Sequence, residues 1–333
     1  MTSRIVSSRW RITLPPTRPR NKKSGSARLA EIFPGCYEKL DKLCMEGKVR
    51  KNALEEVKKA ILCGYHQLGT HFLECPCCHK VTEVYCTCHG RLCPSCGAKT
   101  QRIISASAAA ACVDCTHRHI IFTIPEEYRK LFQFRRDLLN LLYIAARNTI
   151  FIIANRDKYM ELLRKARKAG KSVYDINGGV YLFSGDKEAL VPGMISCLHS
   201  FGRDLKWNPH IHSCVAEVLW NPCGETHKDF HFISFEMLRK HWQRQLNELL
   251  LHELGPVPVK VDGKLVARFG KGNPTYGKYP DGYYVYAAYT ADMEPENFEC
   301  KGKGNETKGN DSAAQCIKYI IRYSSRPAIS EGR

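Results

Sequence analysis

The sequence lacks the features that mark membrane-spanning and secreted proteins. No run reaches the length of about 18 apolar residues that predicts a transmembrane helix. The most apolar stretch, Leu138–Ala154, is interrupted by Arg147 and Asn148. No secretory signal with an apolar core stands near the N-terminus, and no internal repeat is evident. These absences predict a protein of the reducing cytoplasm with no membrane partner.

Acidic residues are scarce. The 333 residues include 33 Asp and Glu against 51 Lys and Arg, a net charge of +18. Such an excess favours a polyanionic partner, with nucleic acid ahead of an anionic membrane. Residues 1–28 contain no acidic side chain, and Pro15, Pro16 and Pro19 argue against the amphipathic helix of a transit peptide. We interpret this segment as a basic, disordered arm that contacts phosphates.

Cysteine is abundant and unevenly placed, with seven of the 17 cysteines between Cys75 and Cys96. Paired CxxC turns bind zinc, because each turn directs two thiolates at one point and two turns complete a tetrahedron. We therefore predict a closed, structural zinc site with the ligands Cys75, Cys78, Cys93 and Cys96. Five residues compete for these places, and a second metal is an open alternative: Cys77, Cys86, Cys88, His79 and His89. The remaining cysteines, among them Cys36, Cys44, Cys63 and Cys112, are interpreted as small core residues.

Hydrophobic periodicity predicts helices and strands in irregular alternation, hence the α+β class. Helices are predicted over 29–70, 99–111, 126–169, 235–254 and 313–324, and strands over 119–124, 194–201, 210–219 and 283–289. We expect three regions: the arm at 1–28, a helical and zinc-binding domain at 29–112, and a catalytic domain at 113–333.

Two pairs of side chains carry candidate chemistry. His210 and His212 are two apart on a predicted strand, so both imidazoles project from one face and can hold a divalent cation. Tyr319 and Tyr323 are four apart on a predicted helix, so both phenols lie on one face. A phenol becomes a plausible nucleophile beside a metal-polarised phosphate. Each pair by itself is also compatible with ordinary packing.

Four further tyrosines stand in the predicted strand 283–289. They are Tyr283, Tyr284, Tyr286 and Tyr289. Alternate residues of a strand face opposite sides, so we interpret these rings as sheet packing or as platforms on which bases stack. We assign them no nucleophilic role.

Five motifs in order carry a family resemblance. They are Cys88-His-Gly-Arg-Leu-Cys-Pro-Ser-Cys-Gly97, His119-Ile-Ile-Phe-Thr-Ile-Pro125, His199-Ser-Phe-Gly202, Trp207-Asn-Pro-His-Ile-His212 and Tyr319-Ile-Ile-Arg-Tyr-Ser-Ser-Arg-Pro327. Together they resemble the two-tyrosine HUH transposases of the insertion-sequence 91 family, which move as rolling-circle elements in bacteria. The resemblance runs from about residue 30 to the last residue.

The resemblance implies a fold, an activity and its cofactors. The fold would be an antiparallel sheet flanked by helices, with Phe122-Thr123-Ile124 as its first motif. His210 and His212 would hold Mg²⁺ or Mn²⁺ against the scissile phosphate of single-stranded DNA at the transposon ends. Tyr319 or Tyr323 would attack the phosphorus to form a 5′-phosphotyrosine, and the other would cut or accept the second strand. No nucleotide cofactor and no small-molecule substrate would be needed, and the enzyme would work at the bacterial nucleoid.

A third ligand of the catalytic metal is expected, because imidazole suits transition metals better than Mg²⁺. His199 is the first candidate and Glu217 the second. Family members continue beyond the tyrosine helix, whereas this sequence ends at Arg333, which predicts a shortened copy. The alternative functions are therefore a non-catalytic, zinc-containing DNA-binding remnant and, last, a zinc hydrolase that uses water as its nucleophile.

Overall fold

The computed structural model describes most of the chain after the basic arm. The described residues are 29–90, 92–202, 206–223, 227–230, 234–256, 258–261, 264–270, 272–288, 317, 320 and 321. They divide into two compact units, one ending at Thr100 and the other beginning at Gln101. The three-region division predicted from the sequence remains a prediction, and the arm lies outside the described residues.

The first unit combines helices with one β-hairpin. Its elements are α1 (Leu29–Met45), α2 (Lys51–Ile61), a 3-10 turn (His66–Leu68), β1 (Thr70–Glu74), β2 (Val81–Tyr85) and the start of α3 (Pro94–Ala110). Strands β1 and β2 pair in antiparallel register from Thr70 opposite Tyr85 to Glu74 opposite Val81. The sequence predicted one helical region over 29–70 and missed this hairpin, whose strand residues are mostly exposed and show no alternation of burial.

The second unit is built around an antiparallel sheet. Its elements are β3 (His117–Thr123), α4 (Glu126–Phe134), a 3-10 turn (Arg136–Leu138), α5 (Leu139–Ala154), α6 (Arg156–Ala169), α7 (Val173–Asn177), β4 (Val191–Phe201), β5 (Trp207–Trp220), β6 (His227–Asp229), α8 (Phe235–Leu254), β7 (Pro258–Val261), β8 (Lys264–Arg268), α9 (Pro274–Lys278) and β9 (Val285–Ala288). The strand order is β4-β5-β3-β9, and β6 pairs with β5. The predicted α+β class and antiparallel sheet are confirmed.

One face of this sheet carries the main hydrophobic core. Ile120 and Phe122 of β3, Ile211 of β5 and Val285 of β9 are fully buried there beneath helices α4, α5 and α8. Trp242 of α8 is also fully buried, and its indole N–H donates to the carbonyl of Thr123 (2.6 Å). The alternation of strands leaves the opposite face for the histidines described below.

The most apolar helical stretch is the centre of this core. Residues Arg136–Ala154 are long and apolar enough to cross a membrane by length and composition, and more than half of that window is buried within the protein. A core helix of a globular domain has the same composition. Helix α5 packs against α8 and the sheet, so its apolar surface is accounted for by the fold.

Candidate metal centres

Four cysteine sulfurs converge in the first unit. One sulfur each from Cys63, Cys88, Cys93 and Cys96 lies within 4.8 Å of the others. The Cys63 and Cys96 sulfurs are 3.6 Å apart, and those of Cys88 and Cys96 are 3.7 Å apart. A tetrahedron of zinc–sulfur bonds of about 2.3 Å separates its sulfurs by about 3.8 Å. The cluster therefore has the spacing of a zinc site, and all four thiols are free of disulfides.

Local structure explains why these thiols meet. Cys63 follows the end of α2, and Cys88 follows β2, so the two residues flank the open end of the β1–β2 hairpin. Cys96 lies in the first turn of α3, which begins at Pro94, a residue suited to the first position of a helix. Backbone N–H groups of Cys88 and Gly90 donate to the sulfurs of Cys63 (3.4 Å) and Cys88 (3.3 Å). Such donors and a helix N-terminus favour thiolates.

Burial dominates the electrostatics of this cluster. It raises the pKa of Cys93 to about 11 and raises the pKa of Cys88 further. At Cys96 burial also raises the pKa, but hydrogen bonds from the Cys63 and Cys88 thiols outweigh it and leave the pKa below its ordinary value. A divalent cation is the partner that would compensate several thiolates gathered in one place.

The structure does not bring the predicted Cys75 and Cys78 into this cluster. Cys75 directly follows β1, and Cys78 lies in the hairpin turn, which is closed by the Cys75 N–H donating to the carbonyl of Lys80 (3.0 Å). The hairpin strands have five residues each, so the turn is about 16 Å from the open end. Of the predicted set, only Cys93 and Cys96 belong to the cluster. The other two members of the cluster are Cys63, which the sequence analysis interpreted as a core residue, and Cys88, which it named as a competitor.

Three histidines meet on the sheet face opposite the core. The antiparallel register sets His199 of β4 opposite His210 of β5, and Cys197 opposite His212. One ring nitrogen from each of His199, His210 and His212 lies within 4.8 Å of the others. Their ring centroids are 3.8 Å apart for His199 and His212 and 4.9 Å apart for His210 and His212. His199, the first candidate for the third ligand, thus lies with the predicted pair.

Hydrogen bonds fix which ring nitrogens can bind a metal. His199 donates from Nε2 to the carbonyl of Ile320 (3.0 Å), and His210 donates from Nδ1 to the carbonyl of Asn208 (2.7 Å). A nitrogen that donates to a carbonyl carries the proton, so the lone pair is on Nδ1 of His199 and Nε2 of His210. The Nδ1 of His212 is 2.8 Å from Nε2 of His119. Outer hydrogen bonds of this kind orient histidine ligands in metal sites.

The histidines are held in the neutral form that binds metals. Burial, aided by the neighbouring imidazole of His210, lowers the pKa of His199 to about 4. Burial likewise lowers the pKa of His210, and the nearby positive charge of Arg129 adds to this effect. The pKa of His212 falls further because burial is joined by three neighbouring histidines. A group of neutral imidazoles with converging nitrogens fits a divalent transition-metal ion.

Glu217, the second candidate for the third ligand, is engaged elsewhere. Its Oε1 accepts hydrogen bonds from Nε (2.9 Å) and Nη2 (2.6 Å) of Arg118, and both side chains are buried. Two positions separate residues on one face of a strand, and Glu217 is an odd number of residues from His210 and His212. The carboxylate is therefore outside the histidine cluster.

A helical segment from the end of the chain packs on the histidine face. Ile317, Ile320 and Ile321 are helical and buried, and they form a hydrophobic cluster with Cys214 of β5. Ile195 and Cys197 of β4 pack against the same cluster. The predicted nucleophiles Tyr319 and Tyr323 lie outside the described residues, but the backbone beside Tyr319 contacts His199 through the carbonyl of Ile320.

Comparisons with known proteins find similarity to transposases. Residues 32–124 match a family model described as "Transposase zinc-binding domain", and residues 193–333 match one described as "Putative transposase". The transposase for insertion sequence element IS801 of Pseudomonas savastanoi pv. phaseolicola is 30% identical over 212 residues. The chain belongs to the insertion-sequence 91 family of transposases. The expected resemblance is confirmed.

The similarity to the IS801 transposase extends over part of each protein. It covers 63% of this chain and 43% of the relative, so the chain spans less than half the length of the transposase it matches. No solved structure matches the chain. The cysteine cluster lies within the residues that match the zinc-binding domain model, and the three histidines lie within the residues that match the transposase model.

The sequence did not predict that His119 contacts the histidine cluster or that Cys63 belongs to the cysteine cluster. His119 stood in a quoted motif, and its position, four residues before Thr123 on β3, already placed it on one face with that residue. Cys63 lies 12 residues before Cys75, outside any CxxC turn, so spacing gave no signal for it. His119 reaches His212 through the pairing of β3 with β5, and Cys63 reaches the other three cysteines because the β1–β2 hairpin brings the chain back.

Proposed function

We propose that this chain is a metal-dependent endonuclease and strand transferase that acts on single-stranded DNA at the ends of an insertion element. The supporting observation is the contact between His199 and the carbonyl of Ile320, which brings the backbone next to Tyr319 to the histidine cluster. A tyrosine beside a phosphate-binding metal site is the arrangement that this chemistry requires.

The reaction would proceed through the protein's own tyrosine. The phenolate oxygen of Tyr319 or Tyr323 attacks the phosphorus, and the bond from phosphorus to the 3′-oxygen breaks. The leaving oxygen takes up a proton to become a free 3′-OH, and the 5′-phosphate stays on the tyrosine. Transfer of that phosphate to a new 3′-OH reverses the step without a nucleotide cofactor.

His199, His210 and His212 would hold Mn²⁺ or Mg²⁺. When bound, the cation would polarise the scissile phosphate and lower the charge that builds up on its oxygens. Three imidazole nitrogens favour Mn²⁺ over Mg²⁺, which prefers oxygen ligands. Cys63, Cys88, Cys93 and Cys96 would hold structural zinc in the zinc-binding domain, because four protein ligands close a site. The enzyme would work in the bacterial cytoplasm, at the nucleoid.

Covalent trapping tests this function. Purified protein is mixed with Mn²⁺ and single-stranded oligonucleotides from both flanks of its own gene, and the products are resolved on a denaturing gel. We expect a protein–DNA adduct that keeps a label at the 3′ end of the oligonucleotide and loses one at the 5′ end. The adduct should disappear in the double variant Tyr319→Phe, Tyr323→Phe and in His210→Ala.

The matched control is Tyr181→Phe, which alters an exposed tyrosine elsewhere in the second unit and should keep the adduct. DNA binding and retained zinc without any adduct would instead indicate a non-catalytic DNA-binding remnant. Cleavage without an adduct would indicate a hydrolase that uses water. Retention of the 5′ label would contradict the proposed polarity.

A further inference from the structure

A cleft opens beside the histidine cluster, at the end of β3. It has a volume of about 500 Å³, and its lining includes Thr123, Arg129, Arg239 and Tyr284. Thr123 is the register partner of His210, and the Trp207 indole donates to the carbonyl of Arg129 (2.8 Å). The cleft is therefore attached to the strands that carry the histidines.

The exposed tyrosines of this region lie on the histidine face. In β9, Tyr286 pairs with Ile121 of β3, which in turn pairs with His212. The Thr123 hydroxyl and N–H both donate to the carbonyl of Tyr284 (2.8 and 3.2 Å). These bonds hold the backbone of Tyr284 beside Thr123. Two strand spacings of about 5 Å separate Tyr284 from His210, about 10 Å in all.

The tyrosines of this segment differ in their exposure to solvent. Tyr284 is 55% exposed and Tyr286 is 44% exposed, whereas Tyr283 is 1% exposed. Tyr283 donates to Thr275 (2.8 Å) and packs against Tyr128. Of the two interpretations left open by the sequence, packing therefore describes Tyr283, and a free aromatic surface describes Tyr284 and Tyr286. Tyr289 lies outside the described residues.

Two guanidinium groups flank the cleft. The Arg239 guanidinium carbon is 5.3 Å from the centre of the Tyr284 ring. Among the described residues, the buried Nε atoms of Arg129 and Arg239 have no hydrogen-bond partner. Among the described residues, Arg129 pairs with Glu126 at 3.9 Å, and that carboxylate is largely exposed, so the pair is weak. Both arginines line the cleft, so their guanidinium groups place positive charge where an anion would bind.

Lys278 and Asp281 also line the cleft. Lys278 is paired with Glu127, and Asp281 is exposed. Gly282, in the same turn, has φ +86°, and a Cβ there would lie 2.3 Å from the carbonyl carbon of Arg239. Only glycine lets this turn pack directly on the backbone of α8. The turn therefore holds Tyr284 and Arg239 in a fixed relation.

We propose that Tyr284, Arg239 and Arg129 form a nucleotide subsite for single-stranded DNA, next to the phosphate held at the histidine cluster. The Tyr284 ring stacks a base, and the guanidinium N–H groups contact the adjoining phosphate. A single strand is required, because a base presents its face to a ring only when it is unstacked. The placement of this subsite next to the cleaved phosphate rests on the function proposed above.

Binding without cleavage tests the subsite. Fluorescence anisotropy, without added Mn²⁺, compares oligodeoxythymidylate of about 16 nucleotides with an abasic strand of the same length. The wild-type protein should prefer the strand with bases, and Tyr284→Ala should lower that preference by about fivefold or more. Tyr284→Phe should retain it, because the ring is kept, and this variant controls for loss of folding.

Arg239→Gln tests the phosphate contact. It should lower the slope of log affinity against log salt by about 0.7, the contribution of one phosphate of a single strand. Tyr181→Ala is the matched control, because Tyr181 is also exposed and has Arg147 near its ring (5.6 Å) but lies apart from the cleft residues. It should bind both strands as the wild type does.

The outcomes separate the subsite from the proposed function. An unchanged base preference in Tyr284→Ala, or a loss as large in Tyr181→Ala, overturns the subsite whether or not a covalent adduct forms. A loss specific to Tyr284→Ala supports the subsite even if no variant forms an adduct, in which case the nuclease proposal alone fails. Tighter binding of duplex DNA than of the single strand would also contradict the subsite.

Discussion

The Nε2 of His199 donates a hydrogen bond to the backbone carbonyl of Ile320, at 3.0 Å. The two residues are 121 positions apart in the chain. This bond fixes the imidazole so that Nδ1 carries the lone pair, and it joins the β4 strand to the segment that contains Tyr319. One contact therefore involves both parts of the proposed chemistry, a metal ligand and the segment that contains a candidate nucleophile.

The first prediction concerns the zinc ligands. Cys63→Ser and Cys88→Ser should each lose most of the bound zinc, because each removes one of four converging thiolates and apparent zinc-binding free energies of about 10–16 kcal/mol depend on the full set. Cys75→Ser should retain zinc, as should Cys36→Ser, which changes an exposed cysteine. Zinc per chain, measured by mass spectrometry after dialysis, checks this. Loss of zinc in Cys75→Ser with retention in Cys63→Ser would restore the ligand set predicted from spacing.

The second prediction concerns the divalent metal. His199→Ala and His212→Ala should each weaken Mn²⁺ binding by more than about 100-fold, a larger effect than that of an outer hydrogen-bond partner. Titration of Mn²⁺ followed by electron paramagnetic resonance measures the affinity. His252→Ala, at the exposed end of α8, is the control and should bind Mn²⁺ normally. Equal affinity in all three variants would contradict the histidine site.

The third prediction concerns His119 as a positioning residue. His119→Ala should weaken Mn²⁺ binding by about 10–100-fold, because the Nδ1 of His212 loses its hydrogen-bond partner. His119→Gln should recover part of the affinity, since its amide oxygen can accept the same bond. The thermal unfolding midpoint is measured alongside. A fall in stability with unchanged Mn²⁺ affinity would show that His119 is a packing residue only.

The fourth prediction concerns the buried pair of Arg118 and Glu217. Glu217→Ala should lower the free energy of unfolding by about 3–5 kcal/mol, because it leaves the Arg118 charge buried without its carboxylate. Mn²⁺ affinity should be unchanged under conditions in which the variant is folded. Urea denaturation and a Mn²⁺ titration check the two statements. A loss of Mn²⁺ affinity comparable to that of His199→Ala would make Glu217 a ligand after all.

Much of the fold could be predicted because its signals are local. The predicted helix over 235–254 coincides with α8, since its apolar residues recur at helical spacing. The strand predicted over 119–124 overlaps β3 (His117–Thr123), because the strand pattern stops before Pro125. The β1–β2 hairpin could not be predicted in this way, because its exposed strands lack the alternation that burial imposes on sequence.

That His210 and His212 share a face follows from the sequence alone, because alternation along a strand is a property of the backbone. The proximity of Cys93 and Cys96 and the order of the family motifs also follow from the sequence. Which residues join them depends on the three-dimensional packing of the chain. His199 and His119 reach the site through antiparallel register, and Cys63 lies in the cysteine cluster while Cys75 does not, because the hairpin separates its turn from its open end. Residue spacing encodes what a single element presents, whereas convergence of separate elements depends on how the whole chain packs.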